Sequence, residues 1–218
     1  MTFVPPTSLF RISYPCSRVD KIPRPKAGRL LDLPLSCQID DLAEMDQRKR
    51  FADVRMAWND LGIGLQVEVS GKERALQGDA KRVRGSDGVT LWVDTRDSRA
   101  SHRGSRYCHQ FHFLATGGGE NQDEPHFAQS KIHRALHDAP LCSADSVPFR
   151  CFRNPDGYGL EAFLPASVLN GFDPEQNPRL GFFYVVRDLE LGEQLLSHGP
   201  EFPFWEDPSL WSVLELIQ

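Results

Sequence analysis

Six side chains in the middle and near the end of the sequence could together form a polar binding surface with aromatic character. They are Arg84, Thr90, Trp92, Gln110, His112 and Trp205. A tryptophan ring offers a flat apolar face, and guanidinium, amide, imidazole and hydroxyl groups offer directional hydrogen bonds. A ligand with a C–H face and a rim of hydroxyls matches that combination. These residue types therefore predict a binding surface for a saccharide or another polyol.

Three of these side chains also have purely structural explanations. Trp92 could pack under the segment 127–147, which has no regular pattern of its own. His112 could be an internal hydrogen-bonding group. Trp205 stands in a proline-rich loop and could close one end of the fold. The sequence leaves the structural and the binding interpretations open for all three.

Seven histidines raise the question of a metal site, but their spacing gives it little support. His109 and His112 are three apart on a predicted strand, so their side chains point to opposite faces. His133 and His137 are four apart and would share one face of a helix. The local sequence favours no helix there and supplies no third ligand. We therefore predict no metal or other cofactor from these residues.

Catalytic motifs are absent from the sequence. It contains no G-x-S-x-G, no P-loop and no dinucleotide-binding fingerprint after a predicted strand. Glu161 and Asp87 could form a carboxylate pair for glycoside hydrolysis, and His112 is a further candidate for a hydrolase. This alternative is the least favoured, and we predict that the protein is not an enzyme.

The segment 86–97, SDGVTLWVDTRD, is predicted to be the central strand that positions these residues. Val89, Leu91 and Val93 would face a core, and Thr90 and Trp92 would face the other way. Seven further segments show similar strand patterns between polar turns. They are residues 52–59, 62–69, 107–114, 149–153, 158–164, 179–188 and 211–217.

About eight to ten short strands with regular turns predict an all-β fold, an antiparallel, jelly-roll-like β-sandwich of two sheets. Residues 1–35 are rich in proline and predict an N-terminal arm packed on the body, with one edge strand at 9–14. Residues 36–218 form the predicted sandwich domain. Within it, residues 40–50 are the best local helix candidate, and residues 127–147 are predicted to be a long inserted loop.

Composition narrows the class of protein. The chain has 218 residues and a net charge of −5, which argues against a nucleic-acid partner. No apolar run approaches the length needed to cross a bilayer, so we expect no membrane association. The chain has five cysteines, an odd number, and none of them forms a CxxC pair. This favours reduced thiols. With no signal peptide visible, we expect a cytoplasmic location.

Several motifs, in order, resemble the family 9 carbohydrate-binding modules. The hairpin VRMAWNDLGIGLQVEV (54–69) and the strand SDGVTLWVDTRD (86–97) come first. GYGLEAFLPASVL (157–169) and LGFFYVVRD (180–188) follow, and WEDPSLWSVLEL (205–216) closes the series. The resemblance covers residues 36–218 and implies a β-sandwich of two antiparallel sheets.

The resemblance also implies a site in which two tryptophans clamp a terminal sugar and polar side chains of the concave sheet bind its hydroxyls. Trp205 matches one clamp tryptophan, but the other falls near Arg84, three residues before Asp87. The acidic hydroxyl-binding residue of the family falls on Thr90, and its arginine falls near Gln110.

The family resemblance further allows a structural calcium, bound by loop carboxylates such as those of Asp94, Asp97 and Asp207. The sequence does not fix that site.

These observations give three functional hypotheses. The leading one is a non-catalytic module that binds a saccharide or polyol on its concave sheet. The alternative is a structural or protein-interaction sandwich that has lost the sugar site, since Arg84 replaces an aromatic ring; its protein partner would be unknown. The third is the hydrolase. The first two differ in whether residues 127–147 leave a groove beside Trp92.

Overall fold

The computed structural model describes residues 12–24, 28–42 and 48–218, and strands dominate these ranges. The strands are β1 (Ser13–Arg18), β2 (Ala52–Asn59), β3 (Gly62–Ser70), β4 (Gly88–Asp94), β5 (Cys108–Gly118), β6 (Glu124–Ser130), β7 (Phe149–Asn154), β8 (Gly157–Pro165), β9 (Arg179–Asp188), β10 (Gly192–Leu195) and β11 (Ser212–Ile217). Short 3₁₀ turns occur at Leu35–Cys37, Val83–Gly85, Ala144–Ser146, Ala166–Val168 and Pro208–Leu210.

The described part of the chain contains no α-helix. The predicted helix at 40–50 falls largely on residues 43–47, which lie outside the described residues, and its described flanks are irregular. None of the helical turns in the described ranges is long and apolar enough to cross a membrane. All five cysteines have free thiols.

One continuous hydrogen-bonded path links the strands in the order β6-β5-β4-β9-β11-β1-β2-β3-β8-β7, with β10 beside β9. The sheet curves over so that β5 contacts β8 and β6 contacts β7. The all-β, sandwich-like architecture is therefore confirmed. The strictly antiparallel two-sheet description needs correction, because β1 is parallel to both its neighbours and joins the two layers into one mixed, nearly closed sheet.

The core lies between the two layers, and β4 contributes one of its faces. Val89, Leu91 and Val93 are at most 2 % exposed, as predicted. Aromatic rings from opposite layers meet there, with 5.3 Å between the ring centroids of Phe113 in β5 and Phe149 in β7. Successive side chains alternate across a strand, so Thr90 and Trp92 lie on the outer face of the same sheet. That outer face carries the predicted binding residues of β4.

Two tight hairpins agree with the sequence prediction. β2 pairs with β3 from Ala52 opposite Val69 to Asn59 opposite Gly62, and β7 pairs with β8 across the turn before Gly157. Alternation of apolar and polar residues with a short polar turn was enough to define both.

The predicted edge position of the N-terminal strand is wrong. β1 lies between β11 and β2. Residues 9–11, the first half of the predicted strand 9–14, are outside the described residues. β1 pairs with β11 from Ser13 to Ser17, but with β2 only at Ser17 and Arg18. At Pro15 only β11 lies alongside, so a residue without an N–H is tolerated in an otherwise interior strand.

Glu161 fastens the segment 28–31 to the outside of β8. Its side chain is fully buried. One carboxylate oxygen accepts from Arg29 Nε at 2.6 Å, and the other accepts from the backbone N–H groups of Leu30 and Leu31 at 2.6 and 3.1 Å. This carboxylate therefore holds the proline-rich segment against the body.

We expect Glu161→Gln to lower the free energy of unfolding by about 2–3 kcal/mol, measured by urea denaturation. An amide has one acceptor oxygen where the carboxylate has two, so its NH₂ group would face a donor. Glu68→Gln is the matched control, because Glu68 also binds Arg29 but is 26 % exposed. This variant should lose less than about 1 kcal/mol of unfolding free energy. Equal losses would contradict a special role for Glu161.

Candidate functional site

Strand pairing brings four of the six predicted residues together on one face. In the β4–β5 pair, Thr90 lies opposite His112 and Trp92 lies opposite Gln110. Because these pairs alternate with core residues, all four side chains project from the outer face. The remaining two, Arg84 and Trp205, come from loops at the border of this face. All six line a single cavity of about 210 Å³.

A second, larger cavity of about 700 Å³ adjoins the first. The two share Arg84, Gln110, His112 and Trp205 as lining residues. We call the two cavities together the groove. The groove runs across β4, β5 and β6 and is bordered by the turn Val83–Gly85 on one side.

Trp92 forms part of the groove floor. It is 4 % exposed, and its ring makes edge-to-face contacts with Phe183 and Phe204, at centroid distances of 6.1 and 5.6 Å. These ring partners lie on β9 and in the loop before β11, whereas the structural interpretation placed Trp92 under residues 127–147. The indole Nε1 of Trp92 is buried and has no hydrogen-bond partner among the described residues. The Trp92 side chain lines the smaller cavity.

His112 is an internal hydrogen-bonding group and also a groove residue. Its Nδ1 is 3.1 Å from the Thr90 hydroxyl and its Nε2 is 2.7 Å from the Ser130 hydroxyl. The ring is 6 % exposed. The structural interpretation of His112 is thus confirmed, and it fixes the ring as a rigid part of the groove wall.

Burial, followed by the positive charges of Arg187 and Arg84, lowers the pKa of His112 from 6.5 to about 4. The imidazole is therefore neutral at physiological pH. Its protonation would add a further positive charge to a region that already contains two guanidinium groups.

We expect NMR titration to show the His112 imidazole neutral down to about pH 4. In the unfolded chain it takes up a proton near pH 6.5, so the unfolded state binds more protons between these values. The stability contribution of neutral His112 is present above pH 6.5 and is lost as the pH falls towards 4, by about 3 kcal/mol in total. His112→Gln should reduce the loss of stability between pH 7 and 5 by about 2 kcal/mol. If this variant lost as much stability between pH 7 and pH 5 as the parent protein, protonation of His112 would not be the cause of that loss.

Arg84 has a well-supported base although its side chain is exposed. It lies on the turn Val83–Gly85. The Ser86 hydroxyl accepts from Asp79 N at 2.9 Å and donates to Arg82 O at 3.1 Å, which closes this loop. The loop thereby holds Arg84 at the border of both cavities.

Trp205 is half-buried and lines both cavities. Its ring contacts that of Phe204 at 5.4 Å. The next residue, Glu206, accepts a hydrogen bond from His133 Nδ1 at 2.7 Å and so ties this loop to the segment after β6. Trp205 therefore forms a wall of the groove and also packs against the hydrophobic core.

Residues 127–147 border the groove and leave it open. Their first part completes β6, which the sequence did not predict, and Phe127 enters the core. Ser130, Lys131 and His133 line the larger cavity. The predicted inserted loop is thus limited to the residues after β6.

Several groove residues were not among the six predicted ones, and Arg187 and Ser130 lie on its strands. Arg187 shares a face of β9 with Phe183 and Val185, which lie opposite Trp92 and Thr90. The strand segment RLGFFYVVRD predicts this shared face, because residues 183, 185 and 187 are two apart along a strand. Ser130 lies opposite Gln110 in β6, whose sequence shows too little alternation to be recognised as a strand.

The histidines do not form a metal centre in the described ranges, where no group of three or more potential ligands occurs. His109 faces the core and stacks on Phe111 at 5.6 Å, so the prediction that it points away from His112 is confirmed. His133 is bound to Glu206.

The three carboxylates suggested for calcium are engaged with other groups. Asp94 accepts from two backbone N–H groups, Asp97 binds Arg99 at 2.8 Å, and Asp207 accepts from Ser209 N at 2.9 Å. As placed, they do not fit a shared cation. A structural calcium remains a prediction.

The carboxylate pair considered for the hydrolase alternative is not assembled. Glu161 is occupied by Arg29 and two backbone N–H groups. Asp87 is also fully buried, with Lys72 Nζ at 3.1 Å from its Oδ2. Neither carboxylate lines the groove.

Comparison with known proteins shows the fold. No protein-family model and no curated protein matches the chain. Among solved structures, it is similar to a family 9 carbohydrate-binding module from Caldicellulosiruptor kristjanssonii in complex with glucose, with a TM-score of 0.60 and 14 % identity, over 94 % of this chain and 96 % of that one. The same kind of module in complex with cellotriose gives a TM-score of 0.57 and 14 % identity, over 94 % and 93 %.

The chain therefore has the fold of a family 9 carbohydrate-binding module, as the sequence resemblance predicted. At this identity the similarity defines the architecture alone.

Proposed function

We propose that the protein is a non-catalytic binding module that takes a saccharide or polyol in the groove. The observation that carries the proposal is the convergence of six predicted residues on one cavity. Trp205 would stack on the C–H face of a sugar ring, and Gln110 would hydrogen-bond to its hydroxyls.

Two further observations support this proposal over a sandwich that has lost its binding surface. The groove is open beside Trp92 although residues 127–147 lie at its border. The solved structures with the same fold include complexes with glucose and with cellotriose. Neither Glu161 nor Asp87 lines the groove, so the carboxylate pair considered for hydrolysis is not available there.

A glycan array followed by isothermal titration with the retained sugars tests the proposal. We expect saturable binding of at least one class of saccharide with one site per chain, and no turnover of the bound sugar. Absence of binding to every mono- and oligosaccharide tested would overturn the proposal. Release of reducing sugar over time would overturn its non-catalytic part.

A further inference from the structure

We infer that the groove recognises an acidic saccharide, with Arg84 binding a carboxylate, sulfate or phosphate group on the sugar. This inference rests on the proposed function and specifies its ligand class. It accounts for the position at which the resemblance to family 9 modules fails, since Arg84 stands where those modules have a second aromatic ring.

The charge of the groove is opposite to that of the whole chain. The chain carries a net charge of −5. The two cavities are nevertheless lined by five lysine and arginine residues and by one carboxylate, that of Glu193. The five are Lys81, Arg82, Arg84, Lys131 and Arg187. Such a concentration of one sign of charge raises the local concentration of anions.

Not all of these positive charges are neutralised within the protein. Glu193 accepts from Arg187 Nε at 2.7 Å, and Lys131 pairs with Asp138 at 2.6 Å. Lys81, Arg82 and Arg84 form no ion pair with the described residues. An isolated exposed lysine or arginine is ordinarily just a solvated side chain. Three unpaired basic side chains within residues 81–84 lie at the mouth of a cavity with an aromatic wall. Together they form a receptor for an anion.

The groove offers more hydrogen-bond donors than free acceptors, because the unpaired side chains of Lys81, Arg82 and Arg84 can only donate. The two nitrogens of His112 are taken up by Thr90 and Ser130, so this side chain adds no free acceptor. A neutral hydroxyl both donates and accepts, whereas a carboxylate, sulfate or phosphate accepts only. An excess of donors therefore favours an anionic ligand over a neutral one.

Arg84 is the residue best placed to bind the anion. It lines both cavities, and the hydrogen bonds of Ser86 fix the turn that carries it. A planar guanidinium binds a carboxylate or phosphate through two parallel hydrogen bonds, which gives direction as well as affinity. Since Trp205 lines the same cavities, the sugar ring and its acidic group would be held by different side chains.

Isothermal titration with D-glucose, D-glucuronate and D-glucose 6-phosphate tests the inference, because these sugars differ in the group at C6. We expect at least one of the two acidic sugars to bind about tenfold to a hundredfold more tightly than glucose at low salt. The preference should shrink at about 0.5 M salt as the charges are screened. Which acidic sugar binds better distinguishes carboxylate from phosphate recognition.

Two arginine variants make the test specific. Arg84→Gln should reduce the preference for the acidic sugar to about twofold or less while leaving glucose affinity within about threefold. Arg153→Gln is the matched control, since Arg153 is exposed on β7 and does not line the groove; it should leave both affinities unchanged.

The His112 imidazole provides a second readout. A bound anion would offset the charges of Arg84 and Arg187 and raise the pKa of His112, whereas glucose would not. His109, on the opposite face of the same strand, should not respond to either ligand.

Glucose binding that equals or exceeds binding of both acidic sugars would overturn the inference and leave the proposed function standing. A preference that survives in Arg84→Gln would also overturn it. If no sugar binds, the proposed function fails as well. Tighter binding of a short single-stranded oligonucleotide than of any acidic sugar would assign the groove to nucleic acid and would overturn both, because a basic groove with one aromatic wall is also the pattern of single-strand binding.

Discussion

Replacing Lys72 with methionine is expected to lower the free energy of unfolding by about 3–5 kcal/mol. The side chain of Lys72 is 2 % exposed, and its Nζ lies 3.1 Å from Asp87 Oδ2 and 3.0 Å from Asp188 Oδ1. Both carboxylates are fully buried. Methionine has a similar volume but no charge, so two negative charges would remain in the interior without a counter-ion.

The protonation of Lys72 agrees with this role. Burial alone would lower its pKa, but the hydrogen bonds to Asp188 and Asp87 and their charges outweigh burial and raise it. A lysine whose pKa is raised in the folded state stabilises the fold fully at any pH below its pKa in the unfolded chain, about 10.4. This stabilisation is lost only as the pH rises through the pKa of the folded state. The contribution of Lys72 should therefore be constant from pH 6 to pH 9.

Lys131→Met is the matched control for this prediction. Lys131 also pairs with an aspartate, Asp138 at 2.6 Å, but the two side chains are 60 % and 44 % exposed. Its replacement should change stability by less than about 1 kcal/mol in urea denaturation. Adding Asp188→Asn to Lys72→Met should restore part of the lost stability, since one buried charge is removed. A loss from Lys72→Met no larger than that from Lys131→Met would contradict a structural role for the buried ion cluster.

The buried ion cluster of Lys72, Asp87 and Asp188 also links stability to the groove. Asp87 accepts hydrogen bonds from Gln77 N at 2.8 Å and from Leu189 N at 2.7 Å. It therefore fastens the loop before β4 to the end of β9. That loop carries Arg84, so we attribute the position of the proposed anion-binding residue partly to a charge network below the surface.

The strands could be predicted where one face of the strand is buried and the other is not, or where a dense apolar run is flanked by turns. β2, β3, β4 and β9 were located in this way. β6 was missed because it is an edge strand with only Phe127 buried, and β10 because it has just four residues. The interior position of β1 depends on Ser13 pairing with Val213, a contact across almost the whole chain that no local pattern specifies.

The site could be predicted for residues that share a strand and only partly for those that meet through tertiary structure. Alternation placed Thr90 with Trp92 and Gln110 with His112. The register that sets Thr90 opposite His112 is not readable from either segment alone. The run of Lys81, Arg82 and Arg84 is visible in the sequence but is interpreted there as a solvated loop of an acidic chain, and Lys131 and Arg187 join it only through the fold.

Replacing Trp205 with alanine is expected to weaken saccharide binding about 30-fold or more, close to the limit of detection for a weak ligand. Trp205 is the only half-buried aromatic side chain that the two cavities share, so alanine would remove the apolar platform and leave only polar contacts, which compete poorly with water. The measurement is isothermal titration with the tightest sugar from the array, on the variant and the parent protein.

Trp205→Phe keeps a flat ring and serves as the matched variant, with an expected loss of about fivefold or less. Urea denaturation serves as the control for correct folding of the variant. Trp205→Ala should lower the free energy of unfolding by less than about 2 kcal/mol, because the ring is only half-buried. The expected order of affinity is parent, Trp205→Phe, Trp205→Ala, for acidic and neutral sugars alike, whereas Arg84→Gln should affect acidic sugars alone. A folded Trp205→Ala variant with unchanged affinity would show that the sugar lies elsewhere, and the groove would lose its proposed role. The two substitutions thus separate the platform that holds any sugar ring from the charge that selects among sugars.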